Sequence, residues 1–237
     1  MSLAGKTVLI TGAAGGLGQA LALRCAADGA NLLLLDKNRR GLGGLSDRIV
    51  EQGYAPPGLY PMNLAGAGVE DFHNLVDIIK SEFGDLHALV HCALDFDGLQ
   101  LLEQVEPQRW LESLQVNVNA PWMLSCACLP LLKASESSRL FFLLDDLERV
   151  TGAYWGAYGV SKAALTGLVK QFAEALDNTP VQTRGINPGP MRTGFRANAY
   201  HAENPLEQPE PGVAAAKIAD MLSGDLAGID RIVNLEE

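Results

Sequence analysis

Long apolar runs and basic charge are scarce in this sequence, and each absence excludes a class of protein. The chain has 237 residues, and no apolar run approaches the roughly 20 residues that a membrane span requires. The first ten residues lack the charged start and cleavage site of a signal peptide. The net charge of −10 disfavours nucleic acid as a partner, because binding phosphates needs a basic face. We therefore expect no membrane and no nucleic-acid partner.

Cysteine is also scarce, and its placement excludes two further classes. The four cysteines are Cys25, Cys92, Cys126 and Cys128. Their spacing matches neither a disulfide framework nor a paired-cysteine metal site. We interpret them as free thiols of a cytoplasmic protein, and we expect no metal.

Apolar residues are abundant enough for a large core. They make up 48% of the chain, against 19% charged residues, which is normal for a globular protein. No Pro/Gly/Ser-rich linker divides the sequence, so we expect one domain over residues 1–237.

Short apolar runs alternate with longer amphipathic stretches along the whole chain. The runs predict strands at about 6–10, 31–35, 58–62, 86–91, 139–144, 181–186 and 231–235. The stretches between them predict helices at about 19–28, 40–52, 68–83, 107–132, 157–177 and 212–223. Runs that are apolar throughout are typical of parallel strands buried on both faces. The pattern predicts an α/β fold, a single doubly wound Rossmann-type parallel sheet of about seven strands with helices on both faces.

Residues 191–212 break this alternation. The segment is polar, contains Pro205, Pro209 and Pro211, and has no clean periodicity. We interpret it as a mobile loop that forms a lid over a substrate.

A glycine-rich turn follows the first predicted strand. Residues 11–18 read TGAAGGLG and include Thr11, Gly12, Gly16, Leu17 and Gly18. Glycine lets a backbone turn tightly and approach a pyrophosphate, and the following helix presents its N–H groups to the anion. At a strand–helix junction the turn predicts a site for a nicotinamide dinucleotide. The alternative is a turn that binds nothing.

The end of the second predicted strand bears on the choice of cofactor. Asp36 stands there, and a carboxylate at this place accepts hydrogen bonds from ribose hydroxyls and repels a 2′-phosphate. Lys37, Arg39 and Arg40 follow and are able to bind that phosphate instead. We predict NAD as the cofactor, with NADP as the second choice.

Tyr158 and Lys162 lie four residues apart within YWGAYGVSKA. On a helix they share one face. A phenol is a weak acid, with a pKa of about 10, and a neighbouring ammonium lowers that pKa. The pair is therefore suited to exchanging a proton with a substrate oxygen during hydride transfer. The alternative is a surface tyrosine and lysine on an ordinary helix.

Together these motifs resemble those of the classical short-chain dehydrogenases/reductases. The glycine turn matches at residues 11–18 and the family's Y-x-x-S-K motif at Tyr158, Ser161 and Lys162. The mid-chain asparagine matches Asn117 within QVNVNA, and the P-G stretch matches INPGPMRT at residues 186–193. These matches cover nearly the whole chain in the family's order.

The resemblance implies a role for each matched residue. Tyr158 would be the catalytic acid/base, and Lys162 would contact the nicotinamide ribose and lower the tyrosine pKa. Asn117 would hold Lys162 and a proton relay through water. The cofactor would also be contacted by Asn63, Leu64, Ala93, Pro188 and Thr193.

The resemblance also implies a substrate and an assembly. The substrate would be a small alcohol or carbonyl compound. The segments 107–132 and 157–177 would pair two or four copies into a homodimer or homotetramer.

One departure from the family lies at Asp145. The family usually has a serine thirteen residues before the tyrosine, and this chain has Asp145 there. An ionised Asp145 is unable to donate a hydrogen bond to a substrate carbonyl, and its charge would raise the Tyr158 pKa. A protonated Asp145, favoured by the neighbouring Asp146, would still donate. A third interpretation turns Asp145 out to solvent.

A second departure follows the fourth predicted strand. The family typically has N-N-A-G, and this chain has His91, Cys92, Ala93 and Leu94. Leu94 puts a bulky side chain where a glycine usually approaches the cofactor. We interpret His91 as structural rather than as a general base.

Three functions remain open at this point. The first is an oxidoreductase that transfers a hydride between NAD(P) and an alcohol or carbonyl. The second is a dinucleotide-binding protein with little or no dehydrogenase activity, in a sensor or structural role, because Asp145 replaces the serine. A dehydratase or isomerase on the same scaffold is a third reading.

Overall fold

Seven parallel strands form the centre of the molecule in a computed structural model that describes residues 2–236. The sheet order is β3-β2-β1-β4-β5-β6-β7, and each neighbouring pair is parallel. The strands are β1 Thr7–Thr11, β2 Asn31–Asp36, β3 Gly58–Pro61, β4 Ala88–His91, β5 Ser138–Leu143, β6 Val181–Asn187 and β7 Ile232–Asn234. The predicted doubly wound parallel sheet is confirmed.

The helices connect these strands and cover both faces of the sheet. They are α1 Gly16–Ala27, α2 Arg39–Glu51, α3 Val69–Glu82, α4 Pro107–Leu114, α5 Ala120–Ala134, α6 Leu147–Val150, α7 Gly156–Ala175, α8 Gly194–Ala199 and α9 Pro211–Ser223. Short 3₁₀ turns occupy Leu102–Gln104 and Pro205–Glu207. Within residues 2–236, every helix is too short or too polar to cross a bilayer.

The alternation of side chains along β1 shows how the two cores form. Val8 and Ile10 belong to a core shared with α1, α2 and α9. Leu9 points to the opposite face and belongs to a core shared with α3, α5 and α7. Since successive strand residues face opposite ways, a strand covered on both sides must be apolar throughout, which explains why the strand runs do not alternate in polarity.

The predicted helix at 107–132 is interrupted in the structure. Between α4 and α5, residues Gln115–Asn119 form a π-helical turn, closed by a bond from the N–H of Ala120 to the carbonyl of Gln115. The proline at position 121 explains the break, since Pro121 has no N–H to donate to the carbonyl of Asn117 four residues earlier. The prediction of one continuous helix was wrong at this point.

The segment 191–212 also differs from the predicted irregular loop. It contains α8 and the 3₁₀ turn Pro205–Glu207. Thr193 accepts a hydrogen bond from the N–H of Arg196 and so caps the start of α8. A side-chain cap of this kind stabilises a helix too short to show periodicity in the sequence.

Candidate active site

A cleft of about 350 Å³ lies at the carboxyl ends of the strands. In the sheet, β2 and β4 lie on opposite sides of β1. The connection that follows β1 therefore runs to one side of it, and the connection that leads to β4 runs to the other. Ligands of open α/β sheets bind at the carboxyl ends of the strands where the direction of the connections changes in this way. The predicted site residues that line the cleft are Gly12, Gly16, Leu17, Gly18, Asp36, Asn63, Leu64, Ala93, Asp145, Tyr158, Lys162, Pro188 and Thr193.

Two predicted site residues lie behind the wall of the cleft instead. Thr11 is fully buried, and its Oγ1 accepts a hydrogen bond of 3.3 Å from the N–H of Ala93. Asn117 is also buried, on the far side of Ser161. Their side chains position the wall residues rather than line the cleft.

The glycine turn is built by close backbone packing. Gly12 has a φ of +65°, and a Cβ there would lie 2.5 Å from the backbone nitrogen of Ala93. A Cβ at Gly18 would lie 2.2 Å from the carbonyl oxygen of Gly12. Helix α1 then begins without a capping side chain or an acidic residue in its first turn. Its first N–H groups are therefore available to an anion in the cleft.

Asp36 is held in place by the two loops beside it. Its Oδ2 accepts from the N–H of Ala14 at 3.0 Å, and its Oδ1 accepts from the N–H of Asn38 at 2.8 Å. Lys37 lines the cleft next to it. Each carboxylate oxygen keeps a further lone pair, so Asp36 retains acceptor capacity toward the cleft.

Asp145 points into the cleft, not out to solvent. Its Oδ2 accepts a hydrogen bond from the Tyr158 hydroxyl at 2.7 Å. Its Oδ1 accepts from the N–H of Asp146 at 2.8 Å and from the guanidinium of Arg149. Both oxygens therefore act as acceptors in an ion pair, which is the pattern of a carboxylate and not of a protonated acid. The side chain of Asp146 instead accepts from the N–H of Glu148 and caps α6.

Arg149 is the site residue that sequence reasoning missed. It lies one helical turn after Asp145, forms the ion pair and lines the cleft. The signal was present as an acid and a base four residues apart, a spacing that places them together on a helix. Asp145 lies just before α6 and Arg149 lies within it, and this helix has only four residues, too few to give a visible periodicity in the sequence.

A glycine brings α6 against α7. A Cβ at Gly159 would lie 1.9 Å from the carbonyl oxygen of Val150. The missing side chain lets the end of α6 rest on α7, one residue from Tyr158. This contact is what lets Asp145 and Arg149 reach the phenol.

Lys162 is buried beneath Tyr158. Its ammonium donates a hydrogen bond of 2.7 Å to the carbonyl of Leu143 and lies 5.5 Å from the centre of the Tyr158 ring. Burial lowers its pKa to about 8, and the Asp145 carboxylate opposes that fall. A charge in a low-dielectric interior is costly, which explains the direction.

The pKa of Tyr158 is raised, as expected from an ionised Asp145, and is not lowered as expected from Lys162. Burial raises it well above its ordinary value, and the charge and hydrogen bond of Asp145 raise it further, while Arg149 lowers it. The expectation that Lys162 leaves Tyr158 with a lowered pKa was wrong. Desolvation and a neighbouring carboxylate both disfavour the phenolate, and they dominate here.

The side chain of Asn117 makes different contacts from those expected. Its amide nitrogen donates to Ser161 at 3.0 Å and to the carbonyl of Asp95 at 2.9 Å, and its amide oxygen accepts from the N–H of Asp95 at 2.7 Å. The prediction that Asn117 itself holds Lys162 does not describe this side chain, because these contacts use both ends of its amide. Asn117 ties the loop after β4 to α7.

Three aromatic rings pack around Tyr158. Phe195 from α8 lies 5.1 Å from the Tyr158 ring, and Phe96 lies 5.3 Å from it, edge on. Trp155 packs at 5.7 Å. Of these three rings, Phe195 also lines the cleft, where the charged side chains near the phenol are Asp145, Arg149, Lys162 and Arg196.

His91 is a structural residue in this fold. Its Nε2 lies 2.9 Å from the Ser125 hydroxyl, and its ring stacks on Phe142 at 4.8 Å. Burial lowers its pKa to about 3, so the ring is neutral at pH 7. Next to it, Leu94 lines the cleft with Cys92 and Ala93.

Comparison with known proteins decides the family. The model of the short chain dehydrogenase family matches residues 6–204. The chain belongs to the short chain dehydrogenase family. The resemblance in the glycine turn and the Y-x-x-S-K motif is thereby confirmed at the level of family and fold.

Relatives within this family agree in length and structure. The uncharacterized oxidoreductase YciK of Escherichia coli strain K12 is 32% identical over 206 residues, which is 87% of this chain and 81% of that protein. A protein from Pseudomonas syringae, provisionally assigned to the short chain dehydrogenases, is 38% identical with a TM-score of 0.91, covering 98% of this chain and 95% of that chain.

A third similar protein was solved with a cofactor. The Shigella flexneri protein, also provisionally assigned to the short chain dehydrogenases, was crystallised with NADP. It is 29% identical with a TM-score of 0.93, covering 98% of this chain and 97% of that chain. An oxidoreductase family with NADP-binding neighbours is therefore shown for this short chain dehydrogenase.

Proposed function

We propose that this protein transfers a hydride between a nicotinamide dinucleotide and a small carbonyl or alcohol substrate, with Tyr158 and Lys162 as the acid/base pair. The observation that carries the proposal is the cleft itself. It joins the glycine turn at one end to Tyr158 and Lys162 at the other. One ligand is then able to reach both the anion-binding helix start and the phenol.

The residues of the cleft fit a dinucleotide. The uncapped start of α1 offers N–H groups to a pyrophosphate, and a Cβ at Gly16 would meet Thr193 at 2.8 Å. Only glycine leaves the phosphate end open between these two loops. Five further residues line the cleft. We propose that Asp36 and Asn63 would contact the adenosine half of the dinucleotide, and Pro188, Thr193 and Lys162 the nicotinamide half.

The chemistry of Tyr158 favours reduction. When bound, a reduced nicotinamide supplies the hydride that the carbonyl carbon receives. Tyr158 donates its hydroxyl proton to the carbonyl oxygen. Its raised pKa makes the phenol a weaker acid but keeps it protonated across neutral pH, which is the form that reduction requires. The proton must turn from Asp145 toward the substrate oxygen. Lys162 holds a positive charge beneath the ring as the phenolate forms.

We infer the preferred form of the cofactor from Asp36, against the NADP found in similar proteins. NADP in the Shigella flexneri protein argues against our first choice of NAD, and Lys37 suits a 2′-phosphate. That protein is only 29% identical, however, whereas the Asp36 carboxylate is a property of this chain. Two neighbouring N–H groups fix it at the cleft, where it repels a 2′-phosphate. We propose NADH as the tighter ligand.

Calorimetry with NADH and NADPH tests both parts of this proposal. We expect NADH to bind more tightly, and Asp36→Ser to strengthen NADPH binding about tenfold by removing a like charge worth about 1.4 kcal/mol. Tighter NADPH binding to the wild type would show that NAD was the wrong choice. Absence of binding by either nucleotide would overturn the proposed function.

A second candidate is a dinucleotide-binding protein without turnover. One observation favours it: the Tyr158 proton is bound to Asp145, where a family serine would instead help the substrate. A panel of aldehydes and ketones, followed by absorbance of the reduced cofactor, separates the candidates. Cofactor binding with no consumption across the panel would favour the sensor or structural role.

We also propose that the protein is a homodimer or homotetramer. Exposed apolar side chains lie on the helices that the family pairs, namely Leu111 on α4, Trp122 on α5 and Val160 on α7, which are 61%, 50% and 44% exposed. Large apolar side chains left on one surface are typical of an interface. Light scattering in solution checks the assembly.

A further inference from the structure

Arg149 stands beside the reacting phenol with no assigned part in the proposed reaction. Its Nη2 donates to Oδ1 of Asp145, while Oδ2 of the same carboxylate takes the Tyr158 hydroxyl. The two oxygens of one carboxylate thus hold a guanidinium and a phenol side by side. Both side chains line the cleft.

Arg149 has donors to spare. A guanidinium carries five N–H donors. Among the described residues, the only hydrogen bond of the Arg149 side chain runs from Nη2 to Asp145. The side chain is 31% exposed and lines the cleft, so the guanidinium keeps donors that a ligand in the cleft is able to use.

Arg196 on the opposite lip of the cleft is the useful contrast. Its Nε and Nη2 bind both oxygens of Glu203, at 2.6 and 2.7 Å, and its guanidinium stacks 3.8 Å above Tyr200. Two of its three nitrogens are thus committed to Glu203 and its face to Tyr200. Of these two cleft arginines, Arg149 is therefore the one placed to serve a substrate.

Reduction of a carbonyl places developing negative charge on its oxygen, and two donors stabilise that charge better than one. Tyr158 is one donor, and the carboxylate of Asp145 is unable to be the other. We propose that Arg149 donates the second hydrogen bond to the substrate oxygen, in the place where other family members use a serine. This inference rests on the proposed function.

The same geometry narrows the substrate. Asp145 stands between the two donors, so a carboxylate on the reacting end of the substrate would meet a like charge. The site is suited to the oxygen of an uncharged aldehyde or ketone. In the reaction the carbon gains the hydride and the oxygen gains the Tyr158 proton, while Arg149 keeps its own protons.

The alternative is that Arg149 only neutralises the charge of Asp145. Two variants separate this role from a hydrogen bond to the substrate. Arg149→Met removes the donors and keeps the length of the chain, and Asp145→Asn removes the charge that would need neutralising. Arg231→Met is the matched control, because Arg231 forms an exposed ion pair with Asp177 near the amino ends of β6 and β7, whereas the cleft lies at the carboxyl ends of the strands. If Arg149→Met does not fold, Arg149→Lys keeps the charge and loses the fork.

The direct measurement is binding of isobutyramide, whose amide carbonyl accepts hydrogen bonds but no hydride, to protein saturated with NADH. We expect Arg149→Met to weaken binding about tenfold, the worth of one charge-assisted hydrogen bond, both in the wild type and in the Asp145→Asn background. Arg231→Met should bind as the wild type does. Three outcomes would each overturn the proposal. They are weaker binding in Arg149→Met only where Asp145 is charged, unchanged binding in Arg149→Met, and no binding by the wild type.

Measuring turnover distinguishes a failure of the role proposed for Arg149 from a failure of the proposed function. On a carbonyl substrate found in the panel, Arg149→Met should lower kcat/KM about tenfold while NADH affinity stays the same. If Arg149→Met turns the substrate over as fast as the wild type does, the role proposed for Arg149 is wrong, while the proposed function still holds. If the wild type shows no turnover but its amide binding depends on Arg149, the contact of Arg149 with the carbonyl oxygen holds and the proposed function is wrong.

Discussion

At the scale of single residues, the decisive feature is one carboxylate that touches both a phenol and a guanidinium. The family resemblance implies a serine at the position of Asp145, and the sequence leaves open whether the Asp145 side chain faces solvent, is protonated, or is ionised in the site. The structure decides this through Arg149, whose charge holds Asp145 in place. The consequence is a tyrosine whose proton is firmly held.

The hold of Asp145 on Tyr158 is measurable without a substrate. Asp145→Asn should lower the Tyr158 titration midpoint by about one pH unit, equivalent to about 1.4 kcal/mol, because it removes a neighbouring negative charge. Ultraviolet absorbance of tyrosinate, with the Tyr158→Phe signal subtracted, gives the midpoint. The control is Asp146→Asn, whose carboxylate caps α6 and faces away from the phenol. An equal effect from both variants would contradict the pairing.

Lys162 sets the expected pH dependence of carbonyl reduction. With a pKa of about 8, the ammonium is charged below that pH and neutral above it. We expect the rate to fall as pH rises through about 8, because the charge beneath the forming phenolate is then lost. The Asp145 charge raises this pKa, so Asp145→Asn should move the fall to lower pH. A rate that is constant through pH 8, or a fall that moves upward, would argue against this role.

At the scale of elements, short helices and a missing Cβ assemble the site. The long strands and helices follow from periodicity, so the sequence alone predicts the sheet, its order of elements and the glycine turn. The four-residue α6, the capped α8 and the π-helical turn before Pro121 depend on local hydrogen bonds that periodicity does not report. Those elements carry Arg149, Phe195 and Asn117. For this reason the sequence did not predict the contacts of Arg149 and Phe195, and it predicted a different contact for Asn117.

The contact of α6 with α7 is testable at its glycine. Gly159→Ala would place a methyl group against the Val150 carbonyl, so we expect a loss of about 1–3 kcal/mol of stability from overpacking. It should also weaken the bond from Tyr158 to Asp145. Gly167→Ala on the same helix is the matched control, because a Cβ there meets nothing within 4 Å. That variant should gain up to about 1 kcal/mol from helix propensity.

Thermal unfolding measures the stability of both glycine variants, and the Tyr158 titration measures whether the phenol still bonds to Asp145. A stable Gly159→Ala protein with the Tyr158 midpoint of the wild type would contradict the proposed closeness of α6. A destabilised Gly167→Ala protein would show that α7 tolerates no added methyl group, and that Gly159 has no special place.

At the scale of the whole molecule, binding and chemistry are separate properties of the same cleft. The glycine turn, the uncapped start of α1 and Asp36 form a binding half that follows the family pattern. The chemical half departs from it, with Asp145 and Arg149 where a serine would stand. The sequence predicts the first half well because backbone geometry demands glycine there. The second half depends on which side chains meet, and this became readable only in three dimensions.

The central claim is that hydride passes to a carbonyl carbon beside Tyr158. The most direct measurement supplies NADH deuterated at the transferable position together with a carbonyl compound, and analyses the alcohol product by mass spectrometry. We predict a product that carries the deuterium with the wild-type protein, and formation at least a hundredfold slower with Tyr158→Phe, within the range of general acid catalysis, about 10²–10⁴-fold. An alcohol without the deuterium, or full activity in Tyr158→Phe, would contradict the account.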